Sequence, residues 1–174
     1  DYQTRALINF AGTEFTNMSK SVSDGTIKDD AKYFLRLYEA EGNSELSEEY
    51  KLAVQPISMS WVEGTGKFGD RPKNTNGCSW ENRSNPIGVN PLIWSGSGRG
   101  ATIITSSHLF GTDKPGVVSS STQTFSNQLP DVEVEVTDMV NMWLGGVKPN
   151  NHVVQNNGML VRFSGSQETD EQTF

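Results

Sequence analysis

Seven residues, Asp131-Val-Glu-Val-Glu-Val-Thr137, dictate local geometry more tightly than any other part of this chain. Apolar and acidic side chains alternate strictly through them, and a period of two is the period of a strand with one dry face and one wet face. Val132, Val134 and Val136 therefore point to a core, while Glu133 and Glu135 point to water. Thr137 then reads as the N-cap of a short helix over 138–144, with Asp138 in its first turn. Gly145-Gly146 stops that helix, as a left-handed C-terminal residue does.

Other short runs share the strand period and are separated by turn chemistry. Arg5 to Phe10 is a strand candidate, followed by a polar stretch from Ser19 that ends in the Asp24-Gly25 turn signal. From Ala31 to Tyr38, the residues Ala31, Tyr33, Leu35 and Leu37 share a face. After an acidic loop over 39–49, a longer run begins at Tyr50. Leu52 and Val54 lie on one of its faces and Ile57, Met59 and Trp61 on the other, with the switch at Pro56, which is read as a bulge or a sheet edge. From Val62 to Gly100 the chain is rich in Gly, Asn, Ser and Pro, read as long ordered loops around one or two short strands. Strands resume at Ala101–Thr105, around Gln123–Ser126 and at Gly158–Phe163. Many short strands with almost no helix predict an all-β sandwich or barrel, in a single domain over 1–174.

Composition narrows the partners. The 174 residues carry a net charge of −7 with the two signs interspersed, a surface that repels nucleic-acid phosphates and anionic membranes. No apolar run has the length of a membrane span, so no membrane insertion is expected. Cys78 is the single cysteine, so no internal disulfide forms. The chain opens on Asp1, which reads as a piece of a longer polypeptide.

Each motif with catalytic associations has a simpler reading. Gly64-Thr-Gly-Lys-Phe-Gly69 spells G-x-G-x-x-G, but a dinucleotide fingerprint needs a helix to follow, and Asp70-Arg71-Pro72 follows instead. His108 and His152 each stand alone in turn-rich sequence, without the oriented third group that nucleophilic catalysis needs. With Cys78 they make no recognisable zinc site. Glu39, Glu41, Glu45, Glu48 and Glu49 read as a solvated acidic loop rather than a glycosidase pair. Asp24-Gly25 and Asp29-Asp30 offer oxygen ligands to a structural calcium without EF-hand spacing, so no cofactor is assigned and the metal question stays open. Of the four tryptophans, Trp61 and Trp143 read as core. Trp94 and Trp80 lie in glycine-rich loops, where an exposed indole face stacks on the apolar face of a sugar ring, and these two are the candidate carbohydrate-binding residues.

Five segments in order carry a resemblance to a family. They are Tyr33-Phe-Leu-Arg-Leu-Tyr38, Ser60-Trp-Val-Glu-Gly64, Cys78-Ser-Trp80, Val134-Glu-Val-Thr-Asp-Met-Val140 with Trp143, and Gly158-Met-Leu-Val-Arg-Phe163. Together they resemble the DNRLRE-type domains, which are similar to carbohydrate-binding modules. The wording Trp61-Val-Glu-Gly-Thr-Gly-Lys-Phe68 and Asn76-Gly-Cys-Ser-Trp80 is similar to versions in virion proteins of large T4-like marine phages.

The resemblance runs from Arg5 to about Glu171 and is weak over 95–130. It implies a jelly-roll β-sandwich of two antiparallel sheets, truncated by one strand at each end. It also implies a non-enzymatic structural or adhesion domain of a virion (tail, fibre or surface decoration), with neighbouring virion chains and host surface polysaccharide as partners. The alternative is a secreted carbohydrate-binding module attached to a polysaccharide-active enzyme.

Overall fold

The computed structural model describes residues 5–10, 12–38, 49–67, 69–94, 100, 103–104, 119–124, 131–144 and 155–164. Its elements in chain order are β1 (Ala6–Ile8), α1 (Gly12–Ser23), β2 (Phe34–Leu37), β3 (Glu49–Pro56), β4 (Asn82–Ser84), β5 (Leu92–Ile93), β6 (Ser119–Thr124), β7 (Val132–Glu135), α2 (Thr137–Leu144) and β8 (Met159–Phe163). The architecture is mostly antiparallel strands with two short helices. A four-stranded sheet has the order β1-β8-β3-β6, and β2-β7 and β4-β5 form two-stranded sheets. No helix among the described residues is long and apolar enough to cross a membrane.

The alternation in β7 places its valines as expected. Val132, Val134 and Val136 are buried, and Glu133 and Glu135 are exposed. Across the β2-β7 pair, Arg36 stands opposite Glu133 in register and its Nε donates to the Glu133 carboxylate. That ion pair is exposed and contributes little to stability. Leu35 of β2, Val54 of β3, Met159 and Val161 of β8, and Met139, Val140 and Trp143 of α2 all enter one core cluster with the β7 valines.

The opposite face of the four-stranded sheet is covered as well. Leu160 of β8 packs there with Ile57 and Trp94, and Leu7, Met59 and Trp61 close around them. Two covered faces explain why Met159-Leu160-Val161 is an unbroken buried run rather than an alternating one. The switch of faces along β3 is as the sequence predicts: Leu52 and Val54 serve the first cluster, and Ile57, Met59 and Trp61 the second.

Three expectations need correction. Pro56 marks neither a bulge nor an edge, because β3 keeps unbroken register with β8 to the Pro56–Met159 pair and Ile103 and Ile104 line its other side, past the end of the β6 ladder at Val54. The chain continues the ladder at Ile57, whose N–H donates to Gly158 O at 3.0 Å, while Pro56 O accepts from Ile104 N at 2.9 Å. Thr137 does not cap α2. Val140 N donates to Val136 O at 3.1 Å, so Val136 accepts the first helical bond. The Thr137 hydroxyl instead accepts from Tyr33 N at 3.0 Å and donates to Glu135 Oε1, tying the start of β2 to the end of β7.

The third correction is α1, a second helix of twelve residues, Gly12–Ser23, whose last five residues fall in the polar stretch read from Ser19. Its Phe15, Met18 and Val22 follow i, i+3, i+7 spacing and pack on the first core cluster. The Asp24-Gly25 signal does end it: Asp24 N donates to Lys20 O and Gly25 N to Val22 O. Asp24 Oδ1 then accepts Thr26 N at 3.0 Å, closing the turn. Of the later strand candidates, 101, 102, 105, 125 and 126 lie outside the described residues. Ile103 forms an isolated bridge to Ile57.

Candidate functional site

The loop from Ser58 to Trp94 folds into a wall beside the four-stranded sheet because its backbone groups find partners one turn at a time. Val62 N donates to Arg83 O and Cys78 N to Val62 O, which lays the two arms of the loop side by side. The glycine-rich pattern serves that close approach. A Cβ on Gly64 would sit 2.4 Å from Gly77 Cα, and one on Gly77 would sit 2.0 Å from Glu63 O. Thr65, Asn74 and Asn76 interlock their side chains across the same gap. Among the described residues no helix follows Gly64, and the pattern is a packing device.

Above this, Ser79 folds a tight turn. Its N–H donates to Asn82 O, and its hydroxyl accepts from Glu81 N and Asn82 N. That turn projects Trp80. Trp94 N donates to Glu81 O, and the Trp94 indole Nε1 donates to Ser79 O at 3.0 Å. Gly100 N donates to Trp80 O at 2.6 Å. Trp61 is held from the other side, its Nε1 donating to Asn157 O at 2.9 Å.

These contacts enclose an open cavity of about 710 Å³. Arg5, Asn9, Trp61, Glu63, Trp80 and Trp94 are among its walls. The Arg5 guanidinium lies 4.3 Å from the centre of the Trp80 ring. Cys78 also opens on the cavity, and burial, chiefly, pushes its thiol above its ordinary pKa. Indole surface, one cation, one carboxylate and an amide in a single concavity suit a neutral ligand with an apolar ring face and a polar rim.

The two sequence-predicted tryptophans meet here with different roles. Trp80 is half-buried and borders the cavity under Arg5. Trp94 is only 5 % exposed and packs against Ile57 and Leu160. It has no open face for a sugar ring and acts as the base of the wall. Trp61, read as core, is only partly buried and reaches the same cavity. Arg5 and Asn9 had no signal in the sequence, since only the pairing of β1 with β8 brings them here.

None of the remaining candidates is among the described lining residues. His108, His152, Glu39, Glu41, Glu45 and Glu48 lie outside the described residues. Glu49 is described only as the first residue of β3. Asp29 and Asp30 are exposed, and Asp24 is engaged in its own turn, with hydrogen bonds to Thr26 lowering its pKa. Among the described residues, no three His, Cys, Asp or Glu side chains gather where they would hold a metal ion. No family model matches the chain, and no curated protein or solved structure matches it significantly.

Proposed function

We propose that this chain is a non-enzymatic structural and adhesive domain of a tailed-phage virion protein, a jelly-roll sandwich that displays the Trp80 cavity to host surface polysaccharide. The cavity carries the reading: three tryptophans, Arg5 and Asn9 converge on one concavity with both stacking surface and hydrogen-bonding groups. A pyranose presents that combination of an apolar ring face and a hydroxyl rim. Trp80 supplies the aromatic surface, the Arg5 guanidinium over its ring offers donors to sugar hydroxyls, and Trp94 fixes the floor. Assembly among neighbouring virion chains uses strand edges, and β1 and β6 are the outer strands of the four-stranded sheet.

The same cavity favours one other reading, a carbohydrate-binding module attached to a polysaccharide-active enzyme. The flanking coding sequence separates the two: further β-rich virion segments for the first, a catalytic domain for the second. The experiment that tests the shared claim is a screen of the folded chain against bacterial and algal polysaccharides. Saturable binding to at least one supports adhesion through sugar. No binding to any at millimolar sugar sinks it.

A further inference from the structure

The two loop arms that meet at Val62 and Cys78 run on from the Trp80 cavity as a tongue. Glu63 and Cys78 line the cavity at its base. Lys67 lies four residues beyond Glu63, so their Cα atoms are at most about 14 Å apart. Local contacts lock the tongue. Lys67 N donates to the Asp70 carboxylate at 2.8 Å, and Asp70 N donates to Lys67 O at 3.1 Å. Behind this turn, the Thr65 hydroxyl accepts from the side-chain amides of both Asn74 and Asn76. Gly66 approaches the other arm so closely that a Cβ on it would sit 2.3 Å from Asn74 O.

Positive charge is concentrated at the end of the tongue. Residues 67–73 carry three cations, Lys67, Arg71 and Lys73, against one acid, Asp70, in a chain whose net charge is −7. All three cationic residues are exposed, and Asp70 is turned back onto Lys67 N. Arg71 Nη1 donates to Asp70 O at 2.8 Å, which holds the guanidinium at the turn. Packing accounts for the glycines and for the Asn and Thr lock. It does not account for three like charges within seven residues, which repel one another.

We propose that the Trp80 cavity and the tongue form one extended site for an acidic polysaccharide. A neutral sugar ring occupies the cavity, and carboxylate or sulfate groups of neighbouring units meet Lys67, Arg71 and Lys73. This rests on the sugar-binding reading of the cavity. The division follows from the charges. Glu63 at the base accepts from hydroxyls and repels an anionic group, so the ring beside it is neutral. At the far end, Arg71 offers a planar fork of donors to a carboxylate or sulfate, and the two lysines add point charges. Outside this turn the chain is more acidic than its net charge, so an anionic polymer is steered toward the tongue.

The test measures binding of the full chain to two matched pairs of polymers. One pair is polygalacturonate and its carboxyl-reduced form, the other dextran sulfate and dextran. Poly-L-glutamate serves as a polyanion without sugar. The expected result is that the acidic member of at least one pair binds about tenfold tighter than its neutral partner. Which pair does so tells carboxylate from sulfate. The preference falls to within about twofold in the triple variant Lys67→Gln, Arg71→Gln, Lys73→Gln. It falls likewise in about 1 M NaCl, where the Debye length is about 3 Å. Trp80→Ala weakens binding of both members of that pair. Equal binding within both pairs, or an acid preference that survives the triple variant, overturns the proposal and leaves the cavity reading standing. Acidic polymers and poly-L-glutamate binding alike, undiminished in Trp80→Ala, would be charge attraction alone and overturns both. No saturable binding of any of the polymers also overturns the proposal. The wild-type comparison and its salt dependence decide it even if a variant fails to fold.

Discussion

The guanidinium of Arg5 lies over the indole of Trp80, 4.3 Å from the ring centre. This joins the residue ahead of β1 to the turn ahead of β4 and sets the orientation of the indole. A cation over an indole contributes about 0.5–1 kcal/mol at an exposed site. Arg5→Ala is expected to lower unfolding free energy by about that amount. It is also expected to raise acrylamide quenching of the Trp80 emission, isolated by difference from Trp80→Phe. Unchanged quenching would mean that Arg5 does not cover the ring.

Gly158 holds the junction between β1 and β8. Its φ is +85°, and a Cβ there would lie 2.0 Å from Ile8 O and 3.1 Å from Asn9 Cα. Both obstacles are backbone, so no rotamer change relieves them. Gly158→Ala is expected to cost about 2–4 kcal/mol through strain and forced separation of the strands. Denaturant titration measures the loss, and hydrogen exchange should rise first in β1. A variant within half a unit of wild type, on the order of 0.5 kcal/mol as for an ordinary surface change, would refute the close approach.

Trp94 is expected to be a stability residue. Trp94→Ala removes a side chain that is 5 % exposed and strips Ser79 O of its indole donor. A loss of about 3–5 kcal/mol follows for a buried aromatic. Thermal unfolding measures it, and a near-neutral variant would restore Trp94 as a candidate sugar platform.

The Cys78 thiol reports on the cavity by its reactivity. Burial, chiefly, raises its pKa, the Glu63 carboxylate adds to the rise, and a backbone hydrogen bond opposes it. Only the thiolate reacts, so alkylation by iodoacetamide at pH 8 should be slower than for a free thiol by about tenfold. Glu63→Gln should quicken it. A folded pKa above the unfolded one means that this stabilisation is complete below the unfolded thiol's pKa and is lost as pH rises through the folded value. A rate equal to that of free cysteine would contradict the burial.

How far the sequence discloses this arrangement follows from how local each signal is. The β7 valines and the change of faces between Val54 and Ile57 are legible because a strand's period is a property of neighbours in sequence. The α1 helix is poorly legible because Ser, Thr and Asn dominate it, residues that favour caps and turns over helix interiors. Its signal was the spacing of Phe15, Met18 and Val22, and packing on the core stabilises it beyond its propensity. Thr137 has the chemistry of a cap, yet a long-range partner, Tyr33 N, takes its hydroxyl. Trp80 and Trp94 look alike in sequence. Only the turn at Ser79 and the sheet beneath separate the half-buried ring from the buried one.

The most direct measurement titrates a bound polysaccharide's oligosaccharide into the wild-type chain and into Trp80→Ala by calorimetry. Circular dichroism and thermal unfolding of both establish that they are equally folded. The account predicts saturable wild-type binding that weakens about tenfold or more in Trp80→Ala, as loss of that aromatic surface requires. Undiminished binding by a folded Trp80→Ala chain would contradict it.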